Sequence, residues 1–365
     1  MTRIKDIIRH LESIAPLSYQ ESYDNSGLIV GDSSKEVSGV TITLDVIESV
    51  VDEAIKKGDN LIIAHHPIIF KGLKSLTGRN YVERTVLKAI KNDIAIYAIH
   101  TNLDNVHNGV NDMICDKLGL VNKQVLVPKS STLSKLTTFV PTSDADKVKQ
   151  AMFDAGAGQV GNYSECAFSV SGMGQFTPND KSNPTIGTKN VPESVEEARI
   201  EVLVESHNSG KIISALNNAH PYEEVAYYLN TLENKNQNVG SGMIGELKEK
   251  MSSIEFLHHL KKTMQTDCVR HTAINTEFVK KIAVCGGSGS FLLPYAKSKN
   301  ADVFVTADFK YHEFFDAENE IIIADIGHYE SEQFTKELIH DILKEKFTNF
   351  ALNLSNTVTN PISYI

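Results

Sequence analysis

Three histidine-bearing segments each follow an apolar run. Leu61-Ile62-Ile63-Ala64 is closed by His65-His66-Pro67, Ile94 to Ile99 leads into His100-Thr101-Asn102-Leu103-Asp104, and Ile321 to Ile326 leads into Gly327-His328-Tyr329-Glu330-Ser331-Glu332. Neighbouring residues of a strand face opposite ways, so His65 and His66 can share one target only where the strand ends and the backbone turns. Pro67 supplies that end, because it cannot donate to a sheet ladder and biases His66 toward extended geometry. His328 and Glu332 are spaced i, i+4 and share a face if both are helical. His65, His66, Asp104, His328 and Glu332 then make a mixed nitrogen and oxygen set with no thiolate nearby, suited to zinc first and to iron, manganese or cobalt otherwise. Such a set exceeds the ligands of a single tetrahedral zinc, and a carboxylate can bridge two ions. The pattern therefore predicts two divalent metal ions per chain, bridged by Glu332. Asp45, His100, Asp308 and His312 are candidates to orient the ligands from behind.

These groups need strands that end together. Val40 to Leu44 reads as a strand, Ile47 to Lys57 as a helix stopped by Gly58, and Leu61 to Ala64 as the next strand, a βαβ unit whose strands should be parallel neighbours. Asp45 then sits at the same sheet end as His65 and His66, where open α/β sheets keep their ligands. Helix Tyr81 to Asn92, strand Ile94 to Ile99 and helix Asn111 to Leu118 continue the alternation. The pattern returns after Gly240: helix Met251 to Lys262, strand Lys281 to Cys285, helix Phe291 to Lys299, strand Asp302 to Thr306, a helix around Phe314, strand Ile321 to Asp325 and a long helix Ser331 to Lys346. The turn-rich Tyr23 to Gly31 reads as a loop into a short strand. Cys285-Gly286-Gly287-Ser288-Gly289-Ser290 lacks the third glycine of a dinucleotide fingerprint and reads as a tight turn.

Between the two halves the composition changes at Val127 to Thr132. There follow strand Lys135 to Val140, helix Ala145 to Ala155, strand Cys166 to Ser171, a polar loop Gly172 to Pro192, strand Arg199 to Val204, helix Gly210 to Asn218 and strand Val225 to Leu229. Two tandem β-α-β halves suggest a ferredoxin-like βαββαβ module, with Glu233 to Val239 as its exit linker. The expected architecture is α/β: a two-lobed, three-layer α/β/α core made of residues 1–130 and 237–365, carrying an inserted α+β domain at 131–236.

Composition narrows the function. The 365-residue chain carries a net charge of −10 and no Lys/Arg run, which argues against a nucleic-acid partner held through phosphates. Met1 to Pro16 is an amphipathic helix too charged for a signal peptide. No apolar run reaches the length of a membrane span, so a cytoplasmic protein without a membrane partner is expected. The 4 cysteines are scattered and read as reduced and structural.

Together, His65-His66-Pro67, the His100 to Asp104 block, Thr306-Ala307-Asp308 with Tyr311-His312, and Asp325 to Glu332 resemble the NIF-three-like family, whose members are named GTP cyclohydrolase 1 type 2 homologues. The resemblance covers both outer lobes. It implies two divalent metals at His65, His66, Asp104, His328 and Glu332, with the glutamate shared, and a toroidal homohexamer whose metal centres face an internal cavity. It also implies that the insert is similar to P-II signalling and copper-tolerance proteins, His220-Pro221-Tyr222-Glu223-Glu224 being one of its motifs. Family members often carry Trp where this chain has Tyr23, a change at a turn that leaves the ligand set intact. Two functions fit. One is a metal-dependent hydrolase that activates water against a nucleotide or phosphoester. The other is a non-enzymatic hexameric scaffold or regulator that senses a small molecule or partner through the insert.

Overall fold

Apolar runs that are buried on both faces make parallel strands, and amphipathic helices between them cover the sheets. The computed structural model describes residues 1–365. Before the insert come β1 (Gly27–Val30), β2 (Gly39–Thr43), β3 (Leu61–Ala64), β4 (Ala95–Ala98) and β5 (Leu120–Lys129). Within it lie β6 (Leu133–Pro141), β7 (Ala167–Phe176), β8 (Glu193–Glu205) and β9 (Tyr227–Thr231). After it come β10 (Asn236–Ser252), β11 (Arg270–His271), β12 (Phe278–Ser288), β13 (Val303–Ala307), β14 (Ile322–Asp325) and β15 (Ala351–Leu354). The chain is mixed α/β, with sheets ordered β1-β4-β3-β2-β15, β11-β14-β13-β12-β10-β5 and β7-β8-β6-β9.

Met1–Pro128 and Gln237–Ile365 form one compact unit, and Lys129–Asn236 forms a second. Within the first, the two halves exchange edge strands. β15 pairs in parallel with β2, Leu352 opposite Val40, while β5 closes the edge of the six-stranded sheet beside β10. The first half of the expected linker, Val127 to Lys129, is therefore strand, and Ser130 to Thr132 alone connects it to β6. Pro128 is tolerated there because β5 is an edge strand. The shared core draws Ile42 and Leu61 from one sheet and Val284 and Val305 from the other, so the lobes are not separately folded bodies.

The βαβ unit forms as its pattern dictates. Val40 lies opposite Leu61 in parallel register, and Gly58 ends the intervening helix Glu48–Lys57 at φ 76°. Four features depart from the expected elements. β10 lies under a glycine-rich stretch, where Gly242 at φ 65° turns the strand past Val284 and Leu292. β7 runs on to Phe176 and uses the first part of the expected loop. The long helix after Ser331 is two helices, His328–Glu332 and Thr335–Lys344. The helix around Phe314 is a 3-10 turn, Tyr311–Ala317. The second unit runs strand, helix, strand, strand, helix, strand, all antiparallel in its sheet. All four cysteines are free, and no helix is long and apolar enough to cross a membrane.

Candidate metal centre

The parallel ladder carries one step past β3: the His65 and His66 amides donate to Thr43 O and Leu44 O, so both rings leave at the strand's carboxyl end. His65 is buried, and its Nδ1 donates to Ile99 O at 2.9 Å. A carbonyl only accepts, which leaves Nε2 of the neutral ring as a lone pair. That nitrogen lies 3.6 Å from Asp104 Oδ1 and 3.9 Å from Glu332 Oε1. His65 Nε2 and Asp104 Oδ1 are both buried without a hydrogen-bond partner. Two facing acceptors in an interior are costly unless a cation joins them.

The other rings are held in the same way, with Nδ1 fixed from behind and Nε2 aimed inward. His66 Nδ1 meets Asp45 Oδ1 at 2.7 Å, and its Nε2 meets Glu332 Oε2 at 2.9 Å. His328 Nδ1 meets Asp308 Oδ2 at 2.7 Å, and its Nε2 lies 3.2 Å from Glu332 Oε2. Asp308 adopts φ 60°, a strained conformation for a non-glycine residue, and it does so where it holds a ring in place. His100 Nδ1 meets Asp24 Oδ1 at 2.7 Å, and the second Asp24 oxygen takes the Thr101 amide at 3.0 Å.

Electrostatics follow from this arrangement. Burial works against charge on His66, but Asp45 and Glu332 outweigh it and raise the imidazole to about 9. Burial is likewise overcome at His328, where Glu332 and Asp308 raise the ring to about 11. Burial, with Glu332 repulsion behind it, pushes Asp104 up to about 7, against the pull of His65. Glu332 is held well below the usual carboxylate range despite its burial, because His328, His65 and His66 surround it. Protonated imidazoles offset the Glu332 charge, and a divalent cation would offset it in their place.

The ligand atoms fall into trios whose members lie within 4.8 Å of one another: His66, His328 and Glu332; His65, Asp104 and Glu332; and His65, His66 and His100. The first two overlap only at Glu332. The glycine run after β12 clears the space for that carboxylate, since a Cβ on Gly287 would lie 2.5 Å from Glu332 Oε1. Donor types, burial and orphaned atoms all fit divalent metal ions.

Of the residues singled out in the sequence, the structure gathers His65, His66, Asp104, His328 and Glu332, and sets Asp45, Asp308 and His100 directly behind or beside them. His312 is not brought into the cluster. It is exposed on the 3-10 turn, packs against Tyr311 and Phe315, and has no hydrogen bond to the cluster. Asp24 and Thr101 were missed. The local signal, Asp24-Asn25 before Ser26-Gly27, is that of any Asx turn.

A family model described as Duf34/NIF3 (NGG1p interacting factor 3) matches residues 2–361. The chain belongs to the Duf34/NIF3 family. Two relatives named GTP cyclohydrolase 1 type 2 homolog match this chain over nearly their whole length. The one from Halalkalibacterium halodurans is 40% identical over 98% of this chain and 98% of its own, and the one from Bacillus subtilis is 39% identical over 99% and 98%. The crystal structure of a Bacillus cereus protein related to NIF3 superposes with a TM-score of 0.88 at 40% identity, covering 100% of this chain and 99% of that one. The Staphylococcus aureus protein SA1388 superposes at 0.79 with 30% identity over the same shares.

Proposed function

We propose that the chain is a dinuclear-metal-dependent hydrolase acting on a nucleotide or phosphoester, with zinc the first candidate ion. The observation that carries this reading is the pair of ligand trios overlapping only at Glu332, with His65 Nε2 and Asp104 Oδ1 buried and unpartnered between them. His66, His328 and Glu332 would hold one ion, and His65, Asp104 and Glu332 the other. Paired divalent ions polarise a substrate oxygen and lower the pKa of water. Asp45 and Asp308 fix the two more open imidazoles, so the ligand set needs little reorganisation.

The cavity over the site is about 650 Å³, and Tyr23, Phe70 and Phe291 offer it apolar ring faces. This chain contributes no lysine or arginine to that lining. A base or a singly charged phosphodiester is therefore favoured over a triphosphate, which would find no lysine or arginine of this chain to hold it. The reading is tested by turnover of a nucleotide and phosphoester panel with metal-reconstituted protein beside His66→Ala. Turnover that tracks metal loading and vanishes in the variant is expected. A fully loaded protein with no turnover would favour the scaffold reading.

We also propose the homohexamer that the family resemblance implies. Phe291, Tyr295, Tyr311 and Phe315 are 48–73% exposed, aromatic surface that a subunit contact would cover. Light scattering of the purified protein tests it.

A further inference from the structure

His220-Pro221-Tyr222-Glu223-Glu224 takes no part in the metal centre and lies in the unit Lys129–Asn236. His220 is buried, and its Nδ1 accepts the Tyr222 amide at 3.1 Å. Its ring proton is therefore on Nε2, which donates to Phe139 O at 2.9 Å. The turn so fixed aims Tyr222 back at the sheet, where its hydroxyl donates to Glu197 Oε1 at 3.0 Å.

The register of β8 sets the rest. Ala198, Ile200 and Val202 join the core under the helices, so Glu197 projects from the opposite face. Glu197 is only 9% exposed, and Tyr222 is its one polar partner. Gly174 on β7 makes room for it, since a Cβ there would lie 2.0 Å from Glu197 Oε2. Arg199, two residues along, is engaged by Glu201, which also takes Lys135. The Glu197 carboxylate is left with a free oxygen and no ion pair, since Arg199, which also lines the cavity, is turned to Glu201.

That carboxylate lines a cavity of about 620 Å³, within the range of small-molecule sites. The Phe176 and Tyr222 rings stand 5.8 Å apart on one side of it, and Phe139 and Tyr228 stand 5.9 Å apart on another. The loop after β7 covers it and is tied to the His220 motif: the Asn183 amide donates to Glu223 Oε1 at 2.7 Å, and Thr185 Oγ1 to Pro221 O at 2.8 Å. A buried carboxylate lacking a counter-charge is stabilised by a cation or N–H donor, and aromatic faces add to the attraction for a cation.

We propose that this cavity binds an organic cation, an amine or amidine on an aromatic or aliphatic body, with its N–H groups donated to Glu197 Oε2 and its body against Phe176 and Tyr222. The test is titration of the full-length, metal-replete protein with benzamidine, benzamide and benzoate, read by calorimetry. Benzamidine should saturate one site per chain at least about tenfold more tightly than benzamide, as a charge-assisted contact requires, and benzoate should not bind. Glu197→Gln should bring benzamidine to the benzamide level, and chelation of the metals should leave its binding unchanged. If Glu197→Gln fails to fold, the order of the three probes on the parent protein still decides. Equal binding of benzamidine and benzamide overturns the proposal, as does binding lost on chelation but kept in Glu197→Gln. Absence of saturable binding also overturns it, and is the result expected if a second copy of this chain covers the face.

Discussion

Glu332 and His66, 266 positions apart in the chain, meet at 2.9 Å through Oε2, while the other Glu332 oxygen faces His65 Nε2 at 3.9 Å. One carboxylate thus belongs to both ligand trios. A shared anion offsets the repulsion between two cations, so under the proposed dinuclear reading Glu332→Gln should bring metal content from the two ions expected per chain to one or fewer. Asp104→Asn, which touches a single trio, should leave the other ion in place. Elemental analysis after dialysis checks both, and equal metal loss in the two variants would sink the bridging role.

Asp308 and Asp45 reach the cluster only through the histidines they hold. Asp308→Asn and Asp45→Asn should each weaken metal binding by roughly 10- to 100-fold, as loss of such backing groups commonly does, with the fold intact. Competition against a fluorescent chelator measures the affinity, and thermal melting of the chelated protein serves as the fold control.

Glu53 gives a pH dependence away from the metals. Burial opposes its ionisation, but Lys57, the Asn356 amide, and Ser355 and Thr357 outweigh it, holding the carboxyl at about 2 against the usual 4.5. Its folded value is depressed, so its stabilising effect is complete above the unfolded pKa and is lost as pH falls from about 4.5 toward 2. The tail it anchors also places Thr359 Oγ1 on Asp45 at 2.6 Å. Protection of the Asn356 and Thr357 amides, taken relative to their intrinsic exchange rates, should fall through that window, and Glu53→Gln should show the low protection already at neutral pH.

The insert interrupts a pair of neighbouring strands. Gly240 on β10 packs against Val127 of β5, and Gly245 against Val121, an antiparallel run whose ends a short turn could join. Deleting 131–236 and closing the gap with a short flexible linker should leave a folded core that takes up metal. Circular dichroism and metal analysis of that protein are the checks, and an unfolded product would mean that the core needs the insert.

What could be read from the sequence was what is written locally. His65, His66, Asp104, His328 and Glu332 stand out because each follows a buried apolar strand, and strand ends are visible as a change from apolar to polar residues. Asp24 does not, because its partner His100 lies 76 positions away and nothing in a turn records a distant ring. β10 was hidden by glycines whose purpose, close approach to β5 and Leu292, exists only once the sheet forms. β15 is short and half-exposed, and it becomes a strand because β2 offers it an open edge. His312 stands four residues after Asp308 in the chain, yet its ring packs outward on Tyr311 and Phe315, which closeness in sequence does not record.

The exchange of β15 onto β2 sets an order of events during synthesis. β2 and β3 leave the ribosome early, yet the free edge of β2 finds its partner only after the insert and the whole second sheet have been translated. The β2 edge therefore stays without its β15 partner for most of elongation. A chain stalled before residue 351 would expose that edge to a neighbouring polysome product instead.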